Sequence, residues 1–268
     1  MSGKLSPSWY FKTDGMRGYI SGVHEHGIEI TGIGSDLRPA TRRMCLNVEH
    51  YYSRPLLNGR FVPRYKANVR AEQIDDGRIR IEIDPFGEWQ VRTIVTYVVR
   101  PEDIIEATFE FTFEIDIAGF EAFISNYFHE ATEPFIHVGG QWMKPQLTND
   151  EHRFWARGSE EAKTIEAVYQ REFINDGVVL PIDDKFYDFP LMVTPVADTG
   201  LAIVNFAERK HCSSISANRC WKAHDFSLVG TDVSAGETVT CRGWLACRPI
   251  EPLDDVIALF LELTGDSD

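Results

Sequence analysis

Proton transfer near neutral pH needs a histidine or similar group beside a carboxylate, and one segment of this chain offers both. Phe128-His129-Glu130 closes an apolar run, with Glu133 and His137 following shortly after. A histidine at the end of a hydrophobic strand, where side chains open onto a cleft, can pass a proton to or from a hydroxyl or ring oxygen. His129 and Glu130 are therefore the first catalytic candidates, with Glu133 a second choice of opposing carboxylate. His24-Glu25-His26 sets two imidazoles two residues apart. On a strand they share a face. That suits a pair of metal ligands, or a ligand at His24 beside a proton donor at His26. A divalent metal is compatible with this pattern, although no cofactor is required by anything in the chain.

Other residues have the character of binding groups. In Asn47-Val48-Glu49-His50-Tyr51-Tyr52, strict alternation puts Glu49 and Tyr51 opposite His50 and Tyr52. Tyr51 would then offer an aromatic platform with an acid beside it. Gly139-Gly140-Gln141-Trp142-Met143-Lys144-Pro145 reads as a flexible loop whose Trp142 can stack on a pyranose face. Arg38, Arg42 and Arg43 precede Cys45, and with Lys144 they are the cationic candidates. Arginine grips a carboxylate bidentately, which would suit a uronic acid. Trp221 and His224, with His211, lie in the late strand region and are candidates for the same face. Each of these has a plainer explanation as a turn, a packed aromatic or a solvated loop. Walker, GxGxxG, GxSxG and HExxH patterns are absent, which removes nucleotide, nicotinamide, ordinary esterase and zinc-protease chemistry.

The elements that must position these groups read as strands. Glu88 to Arg100 is rich in β-branched and aromatic residues, and Ala107 to Ile115 alternates almost without fault. Phe109, Phe111, Phe113 and Ile115 share one face, while Glu110, Thr112 and Glu114 share the other. Ala118-Gly119 breaks the chain before a third strand, Phe120 to Phe128. Further strands are expected at Gly27–Thr31, Met44–Tyr52, Arg78–Asp84, Thr164–Phe173, Leu201–Phe206, Ser213–Ala217, His224–Val229 and Thr238–Cys247. Pro145 to Gly158 reads as a long surface loop. Only Leu253 to Leu263 has helical spacing, with Pro252 near its start and Gly265 after its end.

With 268 residues, 43% hydrophobic and 25% charged, the chain has the ordinary composition of a globular protein. No linker or repeat divides it, so residues 1–268 are expected to form a single β domain. The formal net charge of −14 opposes nucleic-acid and anionic-membrane binding. No run approaches a membrane span and no leader is visible. The five cysteines, Cys45, Cys212, Cys220, Cys241 and Cys247, fit neither a disulfide framework nor a zinc site. They read as small buried hydrophobes of a reducing cytoplasm. A homodimer is open, because the C-terminal helix could serve as a contact or cover a sheet edge.

About a dozen strands in one domain split into two packed layers. Here the chain resembles a known superfamily. "EWQVRTIVTYVVRPEDIIEATFEFTF" followed by "GFEAFISNYFHE" looks like the middle of galactose-mutarotase-like β-supersandwich proteins. "FSLVGTDVSAGETVTCRGWLACRP" is similar to their closing hairpin. The resemblance implies an all-β, large antiparallel supersandwich with a short C-terminal helix and a concave sheet that holds a sugar. It further implies a carbohydrate-active enzyme with a His/carboxylate acid–base pair, acting by epimerisation, glycoside cleavage or β-elimination on a small-molecule or oligosaccharide substrate. A non-catalytic saccharide-binding module on the same fold is the alternative. Asn126-Tyr127-Phe128-His129-Glu130 has the residue types of the epimerase site in a different order, and no counterpart of that site's late glutamate stands out.

Overall fold

The computed structural model describes residues 8–21, 27–33, 38–53, 63, 67–128, 133–147, 153–158, 185–218 and 222–266. Strands are numbered in chain order. The larger sheet has eight antiparallel strands in the order β1 (Ser8–Lys12), β2 (Met16–Ser21), β3 (Gly27–Ile33), β4 (Arg38–Tyr52), β9 (Ile117–Phe128), β16 (Ala223–Val233), β15 (Cys212–Asn218) and β12 (Arg153–Arg157). The smaller has seven, in the order β13 (Leu191–Val196), β14 (Leu201–Ala207), β17 (Thr238–Pro249), β8 (Ile104–Phe113), β7 (Val91–Arg100), β6 (Arg78–Ile83) and β5 (Val69–Asp75). A short hairpin, β10 (Ile136–Val138) and β11 (Gln141–Met143), stands beside β13, and helix α1 (Asp254–Thr264) ends the described chain. This is the all-β, two-sheet antiparallel architecture expected from the alternation.

The alternation pays off in the core. Phe109, Phe111 and Phe113 are wholly buried between the sheets, while Glu110 and Thr112 face outward and are half-buried. Tyr51, Phe120, Ile124 and Phe226 come from the large sheet to meet them. Polar bridges cross this apolar interior: the hydroxyls of Tyr51 and Thr93 are 2.5 Å apart, and the Tyr97 hydroxyl donates to the Leu46 carbonyl at 2.8 Å. A second cluster lies on the far side of the seven-stranded sheet. There Val193, Val204, Phe206, Trp244 and Ala246 are covered by Val256 and Phe260 of α1. The helix ends where Gly265 takes φ 74°, a left-handed cap that glycine adopts without steric cost.

Three expectations about elements need correction. Ala118-Gly119 does not separate two strands but lies inside β9. Gly119 takes φ 57°, its N–H donates to Asp232 Oδ1 at 2.7 Å, and the register against β16 slips there, so the glycine makes a bulge. Gly139-Gly140 is the tight turn of the β10–β11 hairpin, both residues at positive φ, rather than a flexible loop. The segment Pro145 to Gly158 contains strand β12, paired with β15. The strand expected at Thr164–Phe173 lies outside the described residues.

Candidate functional site

The large sheet turns one face to the core, and its other face is where chemistry collects. Cross-strand partners share a face, so the register places residues in rows. Asn47 of β4 stands opposite Ser125 of β9, Ser125 opposite Asp225 of β16, and Asp225 opposite Ser216 of β15. The next row holds His50, Phe123, Ser227 and Ser214, and beyond it Tyr52 stands opposite Glu121. These polar residues are nearly inaccessible: Glu121 is 1% exposed, Asp225 2%, Glu49 3% and His50 8%. Buried acids on a sheet face away from the core are costly, and such groups mark functional sites more often than packing requires.

Two bulges in β4 build this arrangement. The register slips between Met44 and Asn47 and again between Val48 and His50. At the first slip Leu46 takes φ 53°. Its N–H donates to Asn126 Oδ1 at 2.9 Å, while its carbonyl accepts the Tyr97 hydroxyl, so the kink is tied from the core side. The second slip overturns only the place expected for Glu49. Tyr51 stays opposite His50 and Tyr52, on the core face, but Glu49 is brought to the side of Asn47 and His50. Asn47 Nδ2 donates to Glu49 Oε2 at 2.6 Å, and His50 Nε2 lies 3.8 Å from Glu49 Oε1. His50, Tyr52 and Phe123 form an aromatic cluster, with ring centroids 5.8 to 6.0 Å apart. On β16 the Ser216 hydroxyl donates to Asp225 Oδ2 at 3.3 Å.

The face thus presents a Glu–His pair and an Asp on strands separated by β9. Asn47 and Asp225, two strand spacings apart, stand about 10 Å from each other at the backbone.

The residues singled out from sequence fall in several places. His24, His26, His129, Glu130 and Trp221 lie outside the described residues. Arg43 is in β4, opposite Ile30 and Phe128 in the register. Tyr51 is not a binding platform. It is wholly buried among Trp89, Phe111 and Phe120, its hydroxyl is engaged by Thr93, and burial drives its pKa up. Tyr52, on the opposite face, is 1% exposed. His224 is also an interior residue, 2% exposed, with Nδ1 2.9 Å from Thr194 Oγ1 and its ring 4.9 Å from Phe128. Desolvation lowers its pKa to about 3, so it is neutral.

Trp142 and Lys144 pack on the outer side of the seven-stranded sheet. Trp142 Nε1 donates to Asp254 of α1 at 3.0 Å, and the Lys144 ammonium sits 4.4 Å from the Phe135 ring centre. His137 belongs to the same region, with Nδ1 2.8 Å from Asp188 Oδ2. Among the described residues no group of three or more His, Cys, Asp or Glu could hold a metal ion. Cys45, Cys212, Cys241 and Cys247 are buried thiols, and burial pushes Cys212 up to about 12. Glu121, Ser125, Asp225 and Ser216 were not anticipated from sequence. The signal was there in acids placed among apolar residues, Glu121 between Phe120 and Ala122 and Asp225 before Phe226.

Comparison with solved structures assigns the architecture. An α-N-acetylgalactosaminidase of Bifidobacterium bifidum, solved with GalNAc, superposes with TM-score 0.58 at 12% identity, over 96% of this chain and 39% of that one. The candidate aldose 1-epimerase of Escherichia coli K12 gives 0.52 at 11% identity, over 91% of this chain and 99% of its own. A GalM/aldose epimerase homologue of C. elegans gives 0.50 at 8% identity, over 91% and 99%. This is the galactose-mutarotase-like fold. No family model matches the chain, and no curated protein matches it. At these identities the likeness extends to the galactose-mutarotase-like architecture, and the site must be argued from its own residues. No described helix is long and apolar enough to cross a membrane.

Proposed function

We propose that this chain is a carbohydrate-active enzyme whose acid–base groups are drawn from Glu49, His50 and Asp225 on the outer face of the eight-stranded sheet. The observation that carries this reading is the burial of these groups together on a face that does not belong to the core. Glu121 adds a further acid to the same face, and the buried His50–Tyr52–Phe123 cluster packs beside these groups. The names of two structural neighbours, an α-N-acetylgalactosaminidase and an aldose epimerase homologue, support a sugar as substrate. His129 and Glu130 directly follow β9 in the chain and remain candidates for the same site. The reaction is epimerisation, glycoside cleavage or β-elimination, all of which use a donor and an acceptor across the sugar. No metal is needed for such proton transfers.

A second reading, a saccharide-binding module without chemistry, is favoured by one observation. Glu49 and Asp225 each already accept a hydrogen bond from a neighbouring side chain, as structural acceptors do. One experiment separates the two. The protein is incubated with monosaccharides, oligosaccharides, glycosides and uronates and followed by NMR. A changed anomeric ratio identifies an epimerase, new reducing ends a hydrolase, and an unsaturated sugar a lyase. Asp225→Asn and Glu49→Gln should then each lower turnover by about 10²-fold or more while the fold is kept. Turnover unaffected by both substitutions would sink the assignment. Ligand line broadening without product would establish the binding module.

A further inference from the structure

One register row crosses six strands of the large sheet, from β1 to β16, on the same face as the buried acids. It runs Tyr10, Tyr19, Glu29, Met44, Tyr127 and Ala223, each opposite the next. The neighbours of these residues along β1 to β4 confirm the side. Phe11, Ile20, Ile28, Ile30 and Cys45 are buried in the core, whereas Tyr10 is 56% exposed and Tyr19 39% exposed. Their rings meet edge to face at 5.5 Å. Two exposed tyrosines stand together at the end of a row that leads inward through Glu29 and Met44 to Tyr127. Tyr127 and Met44 lie one same-face step along the strands from Ser125 and Asn47, beside Asp225.

We infer that this row is a binding track for an extended saccharide, and that the ligand is an oligosaccharide rather than a single sugar. The inference rests on the proposed carbohydrate site and names its substrate class. From Tyr10 to Tyr127 is four strand spacings, about 19 Å, which is longer than one pyranose ring. The row combines three aromatic rings with one carboxylate and an apolar thioether. A glycan chain presents both C–H faces and hydroxyls, and tyrosine serves both at once. The acidic carboxylate midway and the formal charge of −14 favour a neutral glycan over a uronate or sulfated one.

The test is a length series. Gluco-, galacto- and manno-oligosaccharides from mono- to hexasaccharide are titrated calorimetrically against the wild type, Tyr10→Ala/Tyr19→Ala and Tyr10→Phe/Tyr19→Phe. In the wild type, affinity for one series should rise with chain length. The alanine pair should lower the affinity for the longest member by about tenfold and leave the shortest binder unchanged. The phenylalanine pair should recover most of the loss. If a short sugar binds and added units bring no gain, or if the alanine pair binds the long chain as well as wild type does, the track is wrong while the carbohydrate site stands. If no saccharide of any length binds, both fail together. A change in oligomeric state on Tyr10→Ala, seen by light scattering, would instead make the tyrosine pair a contact between copies and overturn the track.

Discussion

At the scale of single residues, adjacent positions on β16 divide the labour. Asp225 points to the outer face and is held by Ser216, while His224 points to the core and meets Thr194 of the other sheet. The histidine has a consequence for pH. Its folded pKa, about 3, lies below the ordinary 6.5, so below pH 6.5 the unfolded chain binds a proton that the folded chain refuses. The stability it contributes is fully present above pH 6.5 and is lost as pH falls toward 3. Over pH 6.5 to 5, where few carboxylates titrate, the loss should approach about 1.4 kcal/mol per pH unit. Glutamine can keep a hydrogen bond to Thr194 without titrating. Urea unfolding of His224→Gln should therefore show a flatter acid limb than wild type across that window. Parallel limbs would mean that His224 gains its proton without unfolding, and the buried neutral assignment would fall.

At the scale of elements, the second strand of the site matters most. β4 holds Asn47, Glu49, His50 and Tyr52 on one face only because two bulges shift its phase, and Asn126 of β9 ties down the first. Asn126 accepts from Leu46 N–H and donates to the His224 carbonyl at 2.7 Å. Asn126→Leu would strand the Leu46 amide in an apolar setting, and unfolding measurements should show a loss of about 1–3 kcal/mol. A loss below about 1 kcal/mol would mean that the bulge stands without its tether. The same bulges explain what the sequence could and could not disclose. β7 and β8 pair without interruption, so the alternation from Val91 to Phe113 reads directly as buried and exposed faces. Helix α1 is announced by Pro252, its apolar spacing and Gly265. β4 carries the same period-two signal, but the extra residue at its second slip puts Glu49 beside His50 rather than opposite it. The alternation of His50, Tyr51 and Tyr52 is kept, yet it does not say which face is core, so Tyr51 reads as a surface aromatic and is core. In β9 and β16 both faces are buried, so Glu121 and Asp225 sit in runs whose apolar character hides which side they serve.

At the scale of the molecule, the two sheets treat their outer faces differently. The seven-stranded sheet covers part of its outer face with α1 and the β10–β11 hairpin, joined by the Trp142–Asp254 hydrogen bond. The eight-stranded sheet gives its outer face to buried polar groups and the tyrosine row. The proposed ligand site and the helix packing lie on opposite sides of one core, and substitutions should separate them. Phe260 is the central contact of the helix, wholly buried, with its ring 5.4 Å from Phe189 and 5.7 Å from Phe206. Phe260→Ala removes an aromatic side chain from a packed site and should cost about 3–5 kcal/mol. For a domain of this size that is a large share of the usual margin of about 5–15 kcal/mol. Below the lowered melting temperature, however, saccharide affinity should match wild type, because the core intervenes between α1 and the site. Calorimetric titration of the tightest-binding oligosaccharide, run beside a thermal melt, reads both quantities on one sample. A melt shifted down with affinity intact is the expected pair of results. An affinity that falls with the helix packing, well below the transition, would show that the seven-stranded sheet transmits to the site and that the two faces are coupled.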